Sequence, residues 1–275
     1  MTSHVSLQNI SKYFKTKNRS LHVLEDINLT INQGEFVAIV GASGCGKSTL
    51  LRLLMNLEES DSGSIEWTGS DTHKGNRNIG VVFQDHRLFP WLTVIDNVVL
   101  GLEFSQQDYN QKREKAFDIL KLVGLENFTG VNPPRLSGGM AQRAAIARAL
   151  VGSPDMLLLD EPFGALDAFT RLQLQQELEN IWQRDKITTV LVTHDIEEAV
   201  FLADRIIVLE PRPGRILEDI KIDLPRPRTR SAFQFNQIKD SILSLILNGG
   251  QDGWIPEAIV DKESEISKSS VIYYF

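Results

Sequence analysis

The stretch GASGCGKST at residues 41–49 decides the fold, because it stands between an apolar run and a periodic one. It fits the pattern G-x-x-x-x-G-K-[ST], and the preceding EFVAIV reads as a buried strand. Its glycines let backbone N–H groups converge on phosphate oxygens, and a helix that begins here favours an anion. Lys47 can reach the β- and γ-phosphates, and the Ser48 hydroxyl can join a Mg²⁺ shell. The stretch predicts a nucleoside triphosphate site.

A second strand carries the acids that such a site needs. In MLLLDEP (156–162), four apolar residues precede Asp160, which therefore emerges at the carboxyl end of the strand. A carboxylate at this end can hold Mg²⁺ through water. Glu161, one residue further, points to the other side and can accept a proton from an attacking water.

Between these two strands lies a helical block at about 85–152, longer than a simple βαβ unit needs. Near its end, Ser137-Gly138-Gly139 stands before an alanine-rich helix and exposes consecutive N–H groups at a positive helix end. One triphosphate does not need two such devices in one chain. Two chains arranged head to tail would use each device once per nucleotide.

Alternating apolar runs and helices elsewhere predict a mostly parallel sheet covered on both faces. Residues 4–70 are rich in strands, and PRPGRILEDIKIDLPRPRTR, from residue 211, is expected to be an irregular extension. The acidic net charge of −7 argues against a nucleic-acid partner. With one cysteine, no signal peptide and no apolar run long enough to span a bilayer, we expect a soluble cytoplasmic protein.

The motifs GASGCGKS, LSGGM, LLLDEP, GALDA and VTHD occur in this order and together resemble the nucleotide-binding subunit of ATP-binding cassette (ABC) transporters. The resemblance runs from about residue 5 to 220. It implies an α/β P-loop ATPase of ABC type, with a mostly parallel sheet core, an antiparallel β subdomain and an inserted helical subdomain. The ATPase domain would span 1–220, with the helical subdomain at about 85–152, and a C-terminal extension would span 221–275.

The resemblance also implies roles for individual residues. Glu161 and His194 are expected to act in catalysis. The residues expected to bind Mg²⁺ are Ser48, Gln84 and Asp160. The residues expected to bind ATP are Phe14, Gly41, Ala42, Ser43, Gly44, Cys45, Gly46, Lys47, Ser48, Thr49, Gln84, Ser137, Gly138, Gly139 and Asp167.

Several of these roles are specific to the family. Phe14 would stack on adenine, with the neighbouring Tyr13 as the less favoured candidate. Gln84 would bridge the metal and the transport subunit, and His194 would contact the γ-phosphate. The stretch 137–139 would contact the γ-phosphate bound to the opposite chain, and Asp167 would couple the two sites across the interface.

One position departs from the commonest signature, because Met140 stands where glutamine is usual. The phosphate contacts belong to the serine hydroxyl and glycine N–H groups, so methionine removes no ligand. A signature with methionine, the stretch HRLFPWLTVIDNV (86–98) and PRPGRI (211–216) resemble the importer branch for nitrate, sulfonates and taurine. The apolar residues 89–92 are either subdomain core or a groove for a short helix of a membrane subunit.

The function expected is therefore an ATPase that energises import of a small solute, an aliphatic sulfonate, taurine, nitrate or similar. The alternative is a soluble ABC ATPase in DNA repair or translation. Implied partners are a second copy, transmembrane permease subunits and, indirectly, a solute-binding protein, at the cytoplasmic face of a bacterial inner membrane. Because Cys45 lies within the phosphate-binding stretch, we also expect a bulky thiol reagent to block turnover, with ATP protecting.

Overall fold

The computed structural model describes residues 3–15, 20–68 and 78–248. A three-stranded antiparallel sheet has the order β2-β1-β4, formed by β1 (Ser3–Lys15), β2 (Ser20–Asn32) and β4 (Ser62–Trp67). In β2, Ile27, Leu29 and Ile31 alternate with exposed polar residues and are buried. This period of two covers one face of the sheet with apolar side chains.

The larger sheet has six strands in the order β5-β6-β7-β3-β8-β9. Its strands are β3 (Phe36–Gly41), β5 (Ile79–Val82), β6 (Met156–Asp160), β7 (Thr188–Val192), β8 (Arg205–Glu210) and β9 (Arg215–Lys221). The pairs from β5 to β8 are parallel, and β9 pairs antiparallel with β8. All residues of β3 and β7 are buried, as expected for strands covered on both faces.

Seven α-helices lie in the described part of the chain. They are α1 (Lys47–Leu54), α2 (Val94–Val99), α3 (Tyr109–Leu122), α4 (Gly138–Leu150), α5 (Ala168–Asp185), α6 (Ile196–Leu202) and α7 (Phe233–Asn248). Polar side chains cap most of them, as Asp108 does for α3 in a capping box with Gln111. Helices α2, α3 and α4 form the block between β5 and β6.

The prediction of an irregular extension from residue 211 is wrong. β9 pairs with β8, for example Ile220 with Ile206, because the prolines of this stretch flank the strand and leave its backbone N–H groups free to bond. Farther along, α7 packs on the main core through the buried side chains of Phe235 and Ile242. Residues 249–275 of the predicted extension lie outside the described residues.

Arginines of the stretch between β9 and α7 attach it to the main core. Arg226 pairs with Glu179 (2.9 Å), which has no exposed surface, and with Asp204 (2.9 Å). Arg228 is 8% exposed and donates to the carbonyls of Val200 (2.8 Å) and Ala203 (2.6 Å) at the end of α6. These carbonyls have no partner within the helix, so the guanidinium caps it. Within 3–15, 20–68 and 78–248, no helix has the length and apolarity needed to cross a membrane.

Candidate nucleotide site

The phosphate loop runs from the end of β3 to the start of α1. Gly46 has φ 100°, and a Cβ at this position would lie 2.5 Å from Leu24 Cδ2, so both conformation and packing require glycine. The ammonium group of Lys47, which is 6% exposed, donates to the carbonyls of Gly41 (2.8 Å) and Ala42 (3.1 Å). The loop therefore has the curvature and the cation that phosphate binding uses.

The acidic strand ends beside this loop. The Ser48 hydroxyl donates to Asp160 Oδ1 at 3.2 Å, which brings together oxygens from α1 and β6. Burial, first of all, and the neighbouring Glu161 raise the pKa of Asp160. A hydroxyl and a partly buried carboxylate suit Mg²⁺, and a cation here would favour the ionised carboxylate. The pair therefore fits the predicted metal site.

Glu161 and His194 form the second pair of the site. Strands β6 and β7 are parallel neighbours, and the Glu161 N–H donates to the Val192 carbonyl at 2.8 Å, so both residues leave the sheet at the same edge. Glu161 Oε2 lies 3.2 Å from His194 Nδ1. Glu161 has φ 47°, a left-handed conformation that is uncommon outside glycine and that directs the chain away from the strand.

The phosphate loop and the pair of Glu161 and His194 line one open cleft of about 540 Å³. Its walls are residues 43, 44 and 46–49 of the phosphate loop together with Val23, Glu161 and His194. Most of the residues predicted for phosphate and catalysis therefore converge. Gln84 lies at the edge of the same region, because a Cβ on Gly164 would meet both Gln84 Nε2 (3.2 Å) and Glu161 Oε2 (3.7 Å).

Phe14 is not among the residues that line this cleft. On β1 it pairs with Leu21, and Lys12 Nζ lies 5.3 Å from the centre of its ring. Tyr13 stacks on His22 with 4.0 Å between ring centres. The wall at this side is Val23, which no sequence motif singled out. Contact of either aromatic with adenine stays a prediction.

Residues predicted to act across a dimer interface have local partners in the chain. The Ser137 hydroxyl accepts from the Met140 N–H at 3.3 Å and caps α4. Asp167 caps α5 by accepting from Thr170 N at 3.0 Å, a hydrogen bond that lowers its pKa. A Cβ at Gly139 would lie 2.3 Å from Thr170 Cγ2, so this glycine lets α4 approach α5 closely. Their contacts with a second nucleotide stay predictions.

Burial of Cys45 argues against the expectation that a bulky thiol reagent blocks turnover. The side chain has no exposed surface, and its Sγ lies 3.9 Å from Lys47 Nζ. Burial raises the pKa of the thiol, which lowers the fraction of reactive thiolate. A bulky reagent cannot reach this sulfur without opening the loop.

The stretch PRPGRI has a packing explanation. Gly214, between β8 and β9, donates its N–H to Val23 O (2.8 Å) and accepts from Glu25 N (2.9 Å). A Cβ at Gly214 would lie 2.1 Å from Cys45 O. This turn therefore lies directly against the backbone of the phosphate loop.

Residues 89–92 lie at the surface of the helical block. Phe89 is 41% and Trp91 72% exposed, and their rings are 5.3 Å apart. Asn97, with no exposed surface, accepts from Phe89 N (2.7 Å) and donates to the carbonyls of Phe89 (3.1 Å) and Leu92 (3.3 Å). The loop is thus held from inside, and its two aromatic rings are not core.

Sequence reasoning missed two charged residues behind the site. Glu198 in α6 is 4% exposed, and burial, with Asp195 as the next cause, raises its pKa to about 8. Arg171 in α5 forms an ion pair with Asp195 (3.5 Å). The only signal concerned Glu198, because one of the two adjacent glutamates in the otherwise apolar IEEAVFLA falls on its inner face.

Comparison with known proteins places these features in a family. The model of the family described as ABC transporter matches residues 24–164. The aliphatic sulfonates import ATP-binding protein SsuB of Bacillus cereus is 44% identical over 90% of this chain and 97% of its own length. SsuB of Ralstonia nicotianae is 48% identical over 90% of this chain and 84% of its own.

Solved structures agree. The dimeric ATP-binding cassette MJ0796 in a post-hydrolysis state with ADP and Pi matches with a TM-score of 0.71 and 35% identity, over 80% of this chain and 100% of that one. The predicted fold, a P-loop ATPase of ABC type, is confirmed. The chain therefore belongs to the ABC transporter family and is one of its ATP-hydrolysing subunits.

Proposed function

We propose that this chain binds Mg²⁺-ATP in the 540 Å³ cleft and hydrolyses it to energise import of a solute through a membrane permease. The observation that carries the proposal is the convergence of two pairs, Ser48 with Asp160 and Glu161 with His194, on one phosphate loop. When bound, Mg²⁺ supplies positive charge to the β- and γ-phosphate oxygens.

The residues of the chain divide the work. Lys47 and the loop N–H groups bind and orient the phosphates, and Ser48 with Asp160 holds the cation. Glu161 accepts the proton of the attacking water, and His194, within hydrogen-bond reach of that carboxylate, orients it and contacts the γ-phosphate. Gln84, at the edge of the site, is proposed to bridge the metal and the permease subunit.

We infer that two copies enclose two ATP molecules. Ser137 and Gly138 are exposed at the positive end of α4, and Asp167 is exposed at the start of α5, so each is available to a partner. Two solved structures of the relative MJ0796 are dimeric. In the head-to-tail pair, each stretch 137–139 faces the γ-phosphate held by the other chain.

Phe89 and Trp91 form the surface on which a short permease helix docks. Aromatic side chains that are both exposed and rigidly held are typical of interface hot spots, and the buried Asn97 supplies the rigidity. The proposed location is peripheral, on the cytoplasmic face of the inner membrane. For the solute we propose an aliphatic sulfonate delivered by a binding protein, supported by the names of the SsuB relatives.

The test is copurification with the tagged full chain from membranes in mild detergent, followed by ATPase assays with alkanesulfonates and the partner binding protein. Trp91→Ala is expected to lose the permease while the isolated chain keeps its ATPase rate. Phe104→Ala, which removes a 98% exposed aromatic from elsewhere on the helical block, is the control and keeps both. A soluble protein without a membrane partner would instead support the DNA-repair or translation alternative.

A further inference from the structure

Arg171 joins two loops that leave the nucleotide site in different directions. Its Nη2 donates to the Leu166 carbonyl at 3.2 Å, and its Nη1 donates to Asp195 Oδ2 at 3.5 Å. Leu166 belongs to the loop between Glu161 and α5, and Asp195 follows His194 directly. One planar guanidinium therefore holds both loops at a fixed separation.

Each loop is itself ordered by hydrogen bonds between residues that are close in sequence. In the first, Gly164 N donates to Glu161 O (3.1 Å) and Leu166 N donates to Phe163 O (3.2 Å). In the second, Asp195 N donates to Thr193 Oγ1 (3.0 Å), and Asp195 Oδ1 accepts from Glu198 N (3.1 Å). A displacement of either arginine contact is therefore passed along a short and stiff segment.

The two loops meet again at their other ends. Glu161 begins the first loop and contacts His194 of the second at 3.2 Å. Glu161, Leu166, Arg171, Asp195 and His194 thus form a closed ring of contacts. Arg171 is not among the residues that line the cleft.

The charge balance of this ring depends on the arginine. Asp195, Glu161 and the buried Glu198 are the carboxyl groups around it. Beside burial, Asp195 and Glu161 raise the pKa of Glu198, whereas Arg171 lowers it. An uncompensated carboxylate in such a partly buried place is costly, so loss of the arginine would displace Asp195 toward water. The histidine beside it would move as well.

We propose that Arg171 is a positioning residue, which acts through Asp195 and Leu166 to hold His194 against Glu161 and to couple the loop before Asp167 to the hydrolysis site. The inference rests on the hydrolytic function proposed above. Because the guanidinium does not line the cleft, it governs kcat and leaves ATP binding nearly unchanged. Small displacements of catalytic groups cost up to about 100-fold in rate.

The test uses the full chain with steady-state ATPase kinetics, binding of a fluorescent ATP analogue and thermal melts. We expect Arg171→Ala to lower kcat at least about 10-fold while the Kd of the analogue stays within about 2-fold. Arg171→Lys, which keeps the charge but cannot bind both loops as a fork, should recover only part of kcat. Arg184→Ala, which removes an exposed ion pair from the same helix, is the control and should leave kcat unchanged.

Asp195→Asn tests the same contact from its other partner, and this test does not depend on whether Arg171→Ala folds. Asparagine keeps the helix cap but loses the charge that faces Arg171. The double variant Arg171→Ala/Asp195→Asn should be no slower than Arg171→Ala alone, because both changes break one link. Full activity of Arg171→Ala, or strictly additive losses, would overturn the inference, whereas an inactive wild-type chain would instead count against the proposed function.

Discussion

The His194 imidazole lies 3.2 Å from the Glu161 carboxylate, although 32 residues separate them and each follows a different strand. The parallel pairing of β6 with β7 produces this contact, since Asp160 is in register with Val192. The proposed general base and the group proposed to orient it are thereby placed at one edge of the phosphate cleft.

Replacing Glu161 by glutamine tests the base directly. The amide keeps the size of the side chain but cannot accept the proton of water, so ATP should still bind while turnover falls about 10²-fold to 10⁴-fold. Without hydrolysis, the nucleotide-sandwiched dimer should accumulate. Size-exclusion chromatography with ATP and a phosphate-release assay measure both. A variant with the wild-type rate would remove Glu161 from this role.

The buried Glu198 predicts a pH dependence of stability. Its pKa of about 8 in the folded chain lies above the ordinary value of 4.5, so between these values the folded state holds a proton that the unfolded state has lost. Stability from this group is complete below about pH 4.5 and is lost as the pH rises through about 8, with a slope of at most about 1.4 kcal/mol per pH unit.

Glu198→Gln should therefore flatten the decline of the melting temperature between pH 5 and pH 8. Glu103→Gln, at an exposed glutamate, should reproduce the wild-type decline. Melts by circular dichroism across this range measure the difference. Parallel curves for wild type and Glu198→Gln would show that the carboxyl group is ionised in the folded chain.

A methyl group at Gly214 tests whether the turn after β8 shapes the phosphate loop. The added carbon would lie 2.1 Å from Cys45 O, so the loop backbone must shift in Gly214→Ala. We expect ATP affinity to fall about 10-fold and stability to fall about 1–3 kcal/mol, as in other overpacked sites. Gly130→Ala, where an added carbon meets nothing within 4 Å, is the matched control. Isothermal titration calorimetry with ATP measures the affinity of each variant. Equal affinities for the two variants would contradict the prediction.

The sequence predicted the parts of this molecule that depend on short stretches. The strand EFVAIV, the glycines of 41–49 and the apolar MLLLDE carry their own signals, and the family and fold they indicate are confirmed. What the sequence did not predict depends on distant contacts. Gly139 packs against Thr170, and Gly214 packs against Cys45, which only the folded chain brings together.

The segment after residue 211 illustrates the same limit. Its prolines and arginines are typical of an irregular surface segment. In the structure, Arg226 forms an ion pair with Glu179, and Arg228 donates to a backbone carbonyl at the end of α6. Both partners are far away in sequence. The burial that makes these arginines structural could not be read from local composition.

Loss of Arg226 should destabilise the chain through Glu179. This carboxylate has no exposed surface and accepts from Arg226 Nη1 at 2.9 Å, so Arg226→Ala leaves a buried charge with too few partners. We expect the free energy of unfolding to fall about 3–5 kcal/mol, against less than about 1 kcal/mol for Lys221→Ala, whose pair with Asp223 is exposed. The double change Arg226→Met/Glu179→Leu removes both charges and should recover much of the loss. Urea unfolding of the three variants measures this order, and a double variant less stable than Arg226→Ala would show that packing around Trp182, rather than charge, dominates the site.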